Sequence, residues 1–119
     1  MLNILIIDDD KWYSESVANM FDGCNVMAVN LPEFAMQIID ENIPNMIYLD
    51  IKLGSRNGIT ILNELQSWAD TRDIPIVLLT DKQLDIKDWK NYGVVDILDK
   101  AKITRKKLNE SLEHGKYSN

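Results

Sequence analysis

The chain has 119 residues, of which 45% are hydrophobic and 27% are charged, and its formal net charge is −6. This size and composition predict one globular domain over residues 1–119, because there is no room for a second hydrophobic core. The acidic balance argues against a nucleic-acid surface across the domain, since such a surface needs clustered lysine and arginine. No apolar run approaches the roughly 20 residues that cross a bilayer, and the N-terminus lacks the sections of a signal peptide, so we expect a cytoplasmic protein with no membrane partner. Cys24 and His114 are each the only residue of their type, which excludes an internal disulfide and makes a Cys/His zinc site implausible.

Short apolar runs alternate with segments of helical periodicity along the whole chain. Apolar runs of this length predict strands, and apolar residues three or four positions apart predict helices. In chain order the predicted elements are a strand at 4–7, a helix at 13–21, a strand at 25–29, a helix at 31–39, a strand at 46–50, a helix at 61–69, a strand at 74–80, a short helix within 81–92, a strand at 94–98 and a helix at 103–114. Strands that alternate with helices favour right-handed crossovers and a parallel sheet with helices on both faces.

The run from Met46 to Asp50 is the most informative of the predicted strands. It is apolar until its last residue, as expected of a central parallel strand that is covered on both faces. The glycines at 54 and 58 supply loop conformations after it, and helical periodicity resumes at Ile61. The segment therefore predicts a buried strand that delivers the Asp50 carboxylate to a loop. This segment alone does not distinguish a functional carboxylate from a simpler interpretation, in which Asp50 only caps or turns the chain.

Polar side chains follow four of the predicted strands. They are Asp8 and Asp9 after the first strand, Asp50, Thr80 and Lys100. Because ligands of an open parallel sheet lie at the carboxyl ends of its strands, these side chains should meet at one edge. Taken singly, Lys100 has a simpler interpretation as a solvated surface lysine, and Thr80 as an ordinary hydroxyl at a strand end.

This set resembles the response-regulator receiver family, whose pattern is an acidic pair after strand one, a phosphorylated aspartate after strand three, Thr or Ser after strand four and Lys after strand five. The local contexts agree too, because Pro44 stands six residues before Asp50 and Gly58 eight residues after it. The resemblance covers the whole chain. It implies an α/β, flavodoxin-like (βα)5 fold: a five-stranded parallel sheet in strand order 2-1-3-4-5 with helices on both faces.

The resemblance also implies a chemistry for these residues. Asp50 would accept a phosphoryl group, and Mg²⁺, which prefers oxygen ligands, would offset the clustered carboxylates. The implied ligands are Asp9 and Asp50 directly, Asp8 through water, and the main-chain carbonyl of Lys52. Thr80 would hydrogen-bond a phosphoryl oxygen, and Lys100 would pair with its charge.

Such a protein is a signalling phosphoacceptor of a two-component system rather than an enzyme. By resemblance, its phosphoryl donor would be a histidine kinase or a phosphotransfer protein. An output partner of unknown identity could bind a face that carries aromatic and basic side chains, namely Trp89, Tyr92, Lys102, Arg105 and Lys106. The other interpretation of the basic residues is a solvated helix face.

Four positions depart from the family's usual pattern. The ammonium of Lys52 could pair with the carboxylates and compete with Mg²⁺, and Asp81 replaces a small residue beside Thr80, which would narrow access. Ile97 stands where an aromatic side chain commonly reports phosphorylation. Ala101 replaces a proline, so a cis peptide is not expected there. These departures favour an alternative, a receiver-like interaction module that works without phosphorylation. A phosphatase with an aspartate nucleophile is less well supported. Such enzymes carry an Asp-x-Asp motif at the nucleophile, and Lys52 stands here in place of the second aspartate.

Overall fold

The computed structural model describes residues 1–53 and 56–116. Its central sheet has five parallel strands: β1 (Leu2–Ile7), β2 (Cys24–Val29), β3 (Met46–Asp50), β4 (Ile76–Thr80) and β5 (Val94–Asp99). The spatial order is β2-β1-β3-β4-β5, and every neighbouring pair is parallel. This confirms the predicted fold class and the strand order 2-1-3-4-5. A two-residue antiparallel ladder between Lys52–Leu53 and Arg56–Asn57 follows β3.

Within the part of the chain that the structure describes, four α-helices connect or follow the strands: α1 (Lys11–Ala18), α2 (Ala35–Glu41), α3 (Gly58–Ser67) and α4 (Arg105–Lys116). The side chain of Asp10 accepts a hydrogen bond from the backbone N–H of Tyr13 at 3.0 Å and so caps α1. Pro32 opens a 3-10 turn (Pro32–Phe34) that leads into α2. None of the helices in the described residues is long and apolar enough to cross a membrane.

The hydrophobic core lies on both faces of the sheet. Residues of α2 and α3, such as Ile39 and Leu65, pack in one apolar cluster with Leu49 of β3. Residues of α1 and α4, such as Val17 and Leu108, belong to a second cluster. All five residues of β3 are buried, which confirms its prediction as a central strand. Burial of one leucine or isoleucine side chain contributes about 1.5–3 kcal/mol to the free energy of unfolding. The two clusters therefore stabilise the sheet whose edge carries the candidate site.

The prediction of a short helix within residues 81–92 is wrong. Two successive 3-10 turns (Ile86–Asp88 and Lys90–Tyr92) occupy this segment instead. Asp85 caps the first turn, and Gly93, with φ of 80°, ends the second in a left-handed conformation that favours glycine. The apolar side chains of the segment are too few for a full amphipathic stripe, and tight turns are enough to bring them onto the core cluster of α2 and α3.

Candidate functional site

Three carboxylates meet at the carboxyl edge of the sheet. Asp8 follows β1 and is fully buried, Asp50 ends β3 and is buried, and Asp9 is exposed. One oxygen from each of the three lies within 4.8 Å of the others. The parallel pairing of β1 with β3 produces this arrangement, because it aligns the two strand ends. The structure therefore brings together the three acidic side chains that the sequence selects.

Lys100, the first residue after β5, reaches into the same cluster. Its Nζ lies 2.8 Å from Oδ2 of Asp8 and 3.3 Å from Oδ2 of Asp50. The Lys100 side chain is only 21% exposed, so these ion pairs are less screened than surface pairs. The interpretation of Lys100 as a solvated surface lysine is thus wrong. Lys100 supplies one positive charge to a site with three carboxylates.

The electrostatics of the site reflect this imbalance. Burial raises the pKa of the Asp50 carboxyl, and the N–H of Lys52 and the charge of Lys100 offset that effect only in part. Burial alone would lower the pKa of Lys100, but its contacts with Asp8 and Asp50 outweigh burial and raise that pKa. Lys100 is therefore a firmly charged ammonium, while the carboxylate cluster keeps an excess of negative charge.

Backbone N–H groups orient the two buried carboxylates. The N–H of Lys52 donates to Oδ1 of Asp50 at 3.0 Å, and the N–H of Asp10 donates to Oδ1 of Asp8 at 2.9 Å. The cation paired with Asp50 in the described structure is Lys100, while the side chain of Lys52 is exposed. Competition between Lys52 and Mg²⁺ stays a prediction.

Thr80 ends β4, the strand beside β3. Residue Leu79 pairs with Asp50 in the sheet register, so Thr80 lies one residue further toward the site edge. Its side chain is buried, and its Oγ1 accepts a hydrogen bond from the N–H of Lys82 at 3.1 Å. That bond uses an acceptor lone pair of the hydroxyl and leaves the hydroxyl proton for another partner. Asp81 beside it is exposed.

The side chains predicted as one docking face lie on two sides of the sheet. Trp89 and Tyr92 pack against the core cluster of α2 and α3, with ring centroids 5.8 Å apart. Arg105 lies on α4, where its guanidinium contacts Asp22 at 2.6 Å and the carbonyl of Met20 at 3.1 Å. These contacts give Arg105 a structural role in joining α4 to the end of α1.

The structure places both Ile97 and Ala101, two of the positions that depart from the family pattern. Ile97 is half-buried against the core cluster of α2 and α3, where a β-branched side chain has little rotamer freedom. The peptide bond between Lys100 and Ala101 is trans, as expected without a proline. The N–H of Ala101 donates to Oδ1 of Asp99 at 2.9 Å, which closes a turn directly after β5.

Two residues at the site carry roles that sequence reasoning missed. Tyr13 has the spacing of a core residue in α1, yet its ring lies 4.5 Å from Nζ of Lys100. Its hydroxyl donates to the carbonyl of Lys100 at 2.9 Å, and burial together with the nearby carboxylates raises the pKa of this phenol. A Cβ on Gly58 would lie 2.7 Å from Cα of Ile51 and 2.9 Å from the carbonyl oxygen of Asp50. Glycine is therefore required where α3 begins against the end of β3.

The donor set of the site fits Mg²⁺. The ion prefers oxygen ligands and is commonly held by one or two carboxylates together with waters and phosphate oxygens. Three carboxylates within ligand distance of one another, with a single ammonium beside them, offer such oxygens and an excess of negative charge. Among residues 1–53 and 56–116, no sulfur or imidazole ligand belongs to this cluster.

Comparisons with known proteins identify similar sequences. A family model described as the response regulator receiver domain matches residues 4–113. Transcriptional regulatory protein MalR of Bacillus subtilis is 32% identical over 103 residues, which cover 82% of this chain and 43% of MalR. Transcriptional regulatory protein DcuR of Escherichia coli is 34% identical over 105 residues, which cover 82% of this chain and 44% of DcuR. The chain spans less than half the length of these curated relatives.

Solved structures with the same fold cover nearly the whole chain. The N-terminal domain of a response regulator receiver protein from Methanoculleus marisnigri matches with a TM-score of 0.78 at 25% identity, over 96% of this chain and 95% of that one. A response regulator receiver domain protein from Clostridium thermocellum matches with a TM-score of 0.82 over 97% of this chain and 94% of that one. Its 23% identity supports the fold alone.

Proposed function

This chain belongs to the response regulator receiver domain family, whose members are signalling domains, and from that premise we propose that it is a phosphoacceptor modified on Asp50. The observation that carries the proposal is the meeting of Asp50 with Asp8, Asp9 and Lys100 at one edge of the sheet. A carboxylate nucleophile, a cation-binding set of oxygens and a fixed ammonium are what phosphoryl transfer to an aspartate requires.

In the proposed reaction, a carboxylate oxygen of Asp50 attacks the phosphorus of a phosphodonor. An acyl phosphate bond forms as the bond between phosphorus and the donor's leaving group breaks, and the leaving group departs with the bonding electron pair. Asp8, Asp9 and Asp50, with the main-chain carbonyl of Lys52, would hold Mg²⁺, which when bound supplies positive charge against the phosphoryl oxygens.

Two neighbouring side chains would bind the transferred group. The buried hydroxyl of Thr80, whose Oγ1 already accepts from the N–H of Lys82, would donate to a phosphoryl oxygen. Lys100 would exchange part of its contact with Asp8 and Asp50 for the phosphoryl charge, because an ammonium has three donors. Both contacts become stronger as negative charge accumulates near Asp50, and therefore favour the phosphorylated state.

A histidine kinase or a phosphotransfer protein is the proposed donor, and altered partner binding is the proposed output. Similar proteins of more than twice the matched length are named transcriptional regulatory proteins, so regulation of transcription is a reasonable output for a longer protein that contains this domain. The acidic chain itself, with net charge −6, is not proposed as the nucleic-acid contact.

Incubation with acetyl phosphate and Mg²⁺, followed by mass spectrometry of the intact protein, tests the proposal. We expect the mass of one phosphoryl group to be added to the wild type, and none to be added to Asp50→Asn. Asp40→Asn is a matched control, since it makes the same change on the exposed side of α2. Labelling of Asp50→Asn at the wild-type level would refute Asp50 as the acceptor. No labelling of the wild type would favour the interaction module that works without phosphorylation.

A further inference from the structure

Tyr13 contacts Lys100 at both ends of the lysine, although the two residues are 87 positions apart. The Tyr13 hydroxyl donates to the main-chain carbonyl of Lys100 at 2.9 Å. The face of the Tyr13 ring lies 4.5 Å from the Lys100 ammonium, within the range of a cation–π interaction. One side chain therefore fixes both the backbone and the charged tip of the lysine that pairs with Asp8 and Asp50.

These contacts belong to a closed ring of hydrogen bonds and ion pairs. Asp8 accepts from the N–H of Asp10 at 2.9 Å, and Asp10 accepts from the N–H of Tyr13 at 3.0 Å. Tyr13 donates to the carbonyl of Lys100, and the Lys100 ammonium returns to Asp8 at 2.8 Å. Each member is thus held by the next, so the start of α1 and the turn after β5 have one fixed relative position.

The residue after Lys100 explains why such a clamp matters in this chain. Ala101 has no ring to restrict its backbone, whereas a proline would fix φ at this point. The N–H of Ala101 donates a hydrogen bond to the side chain of Asp99, but this bond is local to the turn. The bond from Tyr13 to the Lys100 carbonyl ties the main chain of this turn to a different element, α1.

We infer that Tyr13 is a positioning residue that directs the Lys100 ammonium toward a phosphoryl group on Asp50, an inference that rests on the proposed function. The hydroxyl keeps the Lys100 backbone in place, and the ring face limits the ammonium to the side of the carboxylates. The ammonium can then turn from Asp8 toward a phosphoryl oxygen without movement of the main chain. Tyr13 acts through Lys100 and makes no contact of its own with the phosphoryl group.

Two substitutions separate the two contacts. Tyr13→Phe removes the hydroxyl and keeps the ring, while Tyr13→Leu removes both and keeps an apolar side chain against the core cluster of α1 and α4. Rates of labelling by acetyl phosphate at saturating Mg²⁺ should be resolved into a maximal rate and a half-saturating donor concentration. We expect the maximal rate to fall about tenfold in Tyr13→Leu and about threefold in Tyr13→Phe, because loss of orientation slows the chemical step. In a separate titration of Mg²⁺ at a fixed donor concentration, the half-saturating Mg²⁺ concentration should stay within about twofold of the wild type, since Tyr13 has no hydrogen bond to the carboxylate oxygens proposed as ligands.

Tyr48→Phe is the matched control, because it also removes one hydrogen-bonded phenolic hydroxyl, in this case from a buried bond with Ser111 on α4. Its maximal rate should equal that of the wild type, so a general effect of reduced stability can be recognised. A double-mutant cycle of Tyr13→Leu with Lys100→Met, measured by chemical unfolding, tests the coupling without phosphorylation. We expect a coupling of at least about threefold in the unfolding equilibrium constant.

The outcomes distinguish this inference from the proposed function. The role of Tyr13 would be overturned if Tyr13→Leu had the same maximal labelling rate as the wild type, or if the double-mutant cycle showed no coupling between Tyr13 and Lys100. Either result would leave Asp50 as the acceptor. Wild-type protein that does not label at all would overturn the proposed function and this inference with it. A slower maximal rate in Tyr13→Leu, with coupling to Lys100 and unchanged Mg²⁺ dependence, would support it.

Discussion

Asp50 is the residue at which function and stability conflict. Its carboxylate is buried beside Asp8, and burial raises its pKa above the ordinary value of 3.8. A carboxyl whose pKa is raised by folding stabilises the fold below that ordinary value, and this contribution is lost as the pH rises through the folded-state pKa. At neutral pH the ionised Asp50 therefore lowers the free energy of unfolding, as expected of a site that evolved for a ligand.

We predict that Asp50→Asn raises the free energy of unfolding at pH 7, because it removes the buried charge whose pKa folding raises. Asparagine has a similar shape without the charge, and Lys100 keeps its partner Asp8 at 2.8 Å. The gain should shrink as the pH falls from the raised folded-state pKa of Asp50 towards 3.8, and it should be absent below 3.8, where the wild-type carboxyl is protonated in both states. Urea unfolding at several pH values measures this. A mutant that is less stable than the wild type at pH 7 would contradict the argument.

Gly58 is the second residue whose role can be tested directly. A Cβ at this position would lie 2.7 Å from Cα of Ile51, which is main chain and cannot move aside as a flexible side chain can. We predict that Gly58→Ala lowers the free energy of unfolding by about 1–3 kcal/mol through this overpacking. Thermal unfolding measures the effect. Gly23→Ala is the comparison, because its cost comes from a φ of 66° and there is open space around its Cβ position.

A tolerated Gly58→Ala, with a melting temperature equal to the wild type, would show that the start of α3 can shift away from β3. The result matters for the site, because the Asp50 carbonyl lies 2.9 Å from the same Cβ position. A shift there moves the end of the strand that carries the proposed phosphoacceptor.

At the scale of elements, the sequence predicts what depends on local pattern. The run at 46–50 is apolar without alternation, and β3 is buried on both faces. Asp10 stands directly before a helical stripe, and it caps α1. By contrast, residues 81–92 contain too few apolar side chains for periodicity to decide between a helix and tight turns, and the observed 3-10 turns depend on packing against β5 and α3.

The contacts of the site depend on positions that are distant in the chain, and pattern alone predicts fewer of them. The rule for parallel sheets brings Asp8, Asp50 and Lys100 to one edge without giving the pairing of the ammonium with both carboxylates. Tyr13 has the helical spacing of a core residue, and nothing in its neighbours indicates that its hydroxyl meets the Lys100 carbonyl.

At the scale of the whole molecule, the proposed phosphorylation site and α4 lie at different places in the fold. Asp50 and Thr80 are the last residues of β3 and β4. Helix α4 is tied to β3 by the hydrogen bond between Tyr48 and Ser111, and to the end of α1 by Arg105 with Asp22. A ligand can shift a conformational equilibrium only through contacts that differ between two states, and a phosphoryl group on Asp50 would change the contacts of Asp50 and Thr80 first.

We therefore predict that phosphorylation alters mainly the segments after Asp50 and Thr80 and leaves β5 and α4 little changed. Ile97 is half-buried, apolar and stiff at χ1, so it has no second resting place of the kind that a polar aromatic side chain offers. Hydrogen exchange of the wild type, with and without beryllofluoride and Mg²⁺, measures the change in protection segment by segment. Asp50→Asn under the same conditions should show no change. A large beryllofluoride-dependent change across β5 and α4 in the wild type would show instead that the signal crosses the face that carries Ile97.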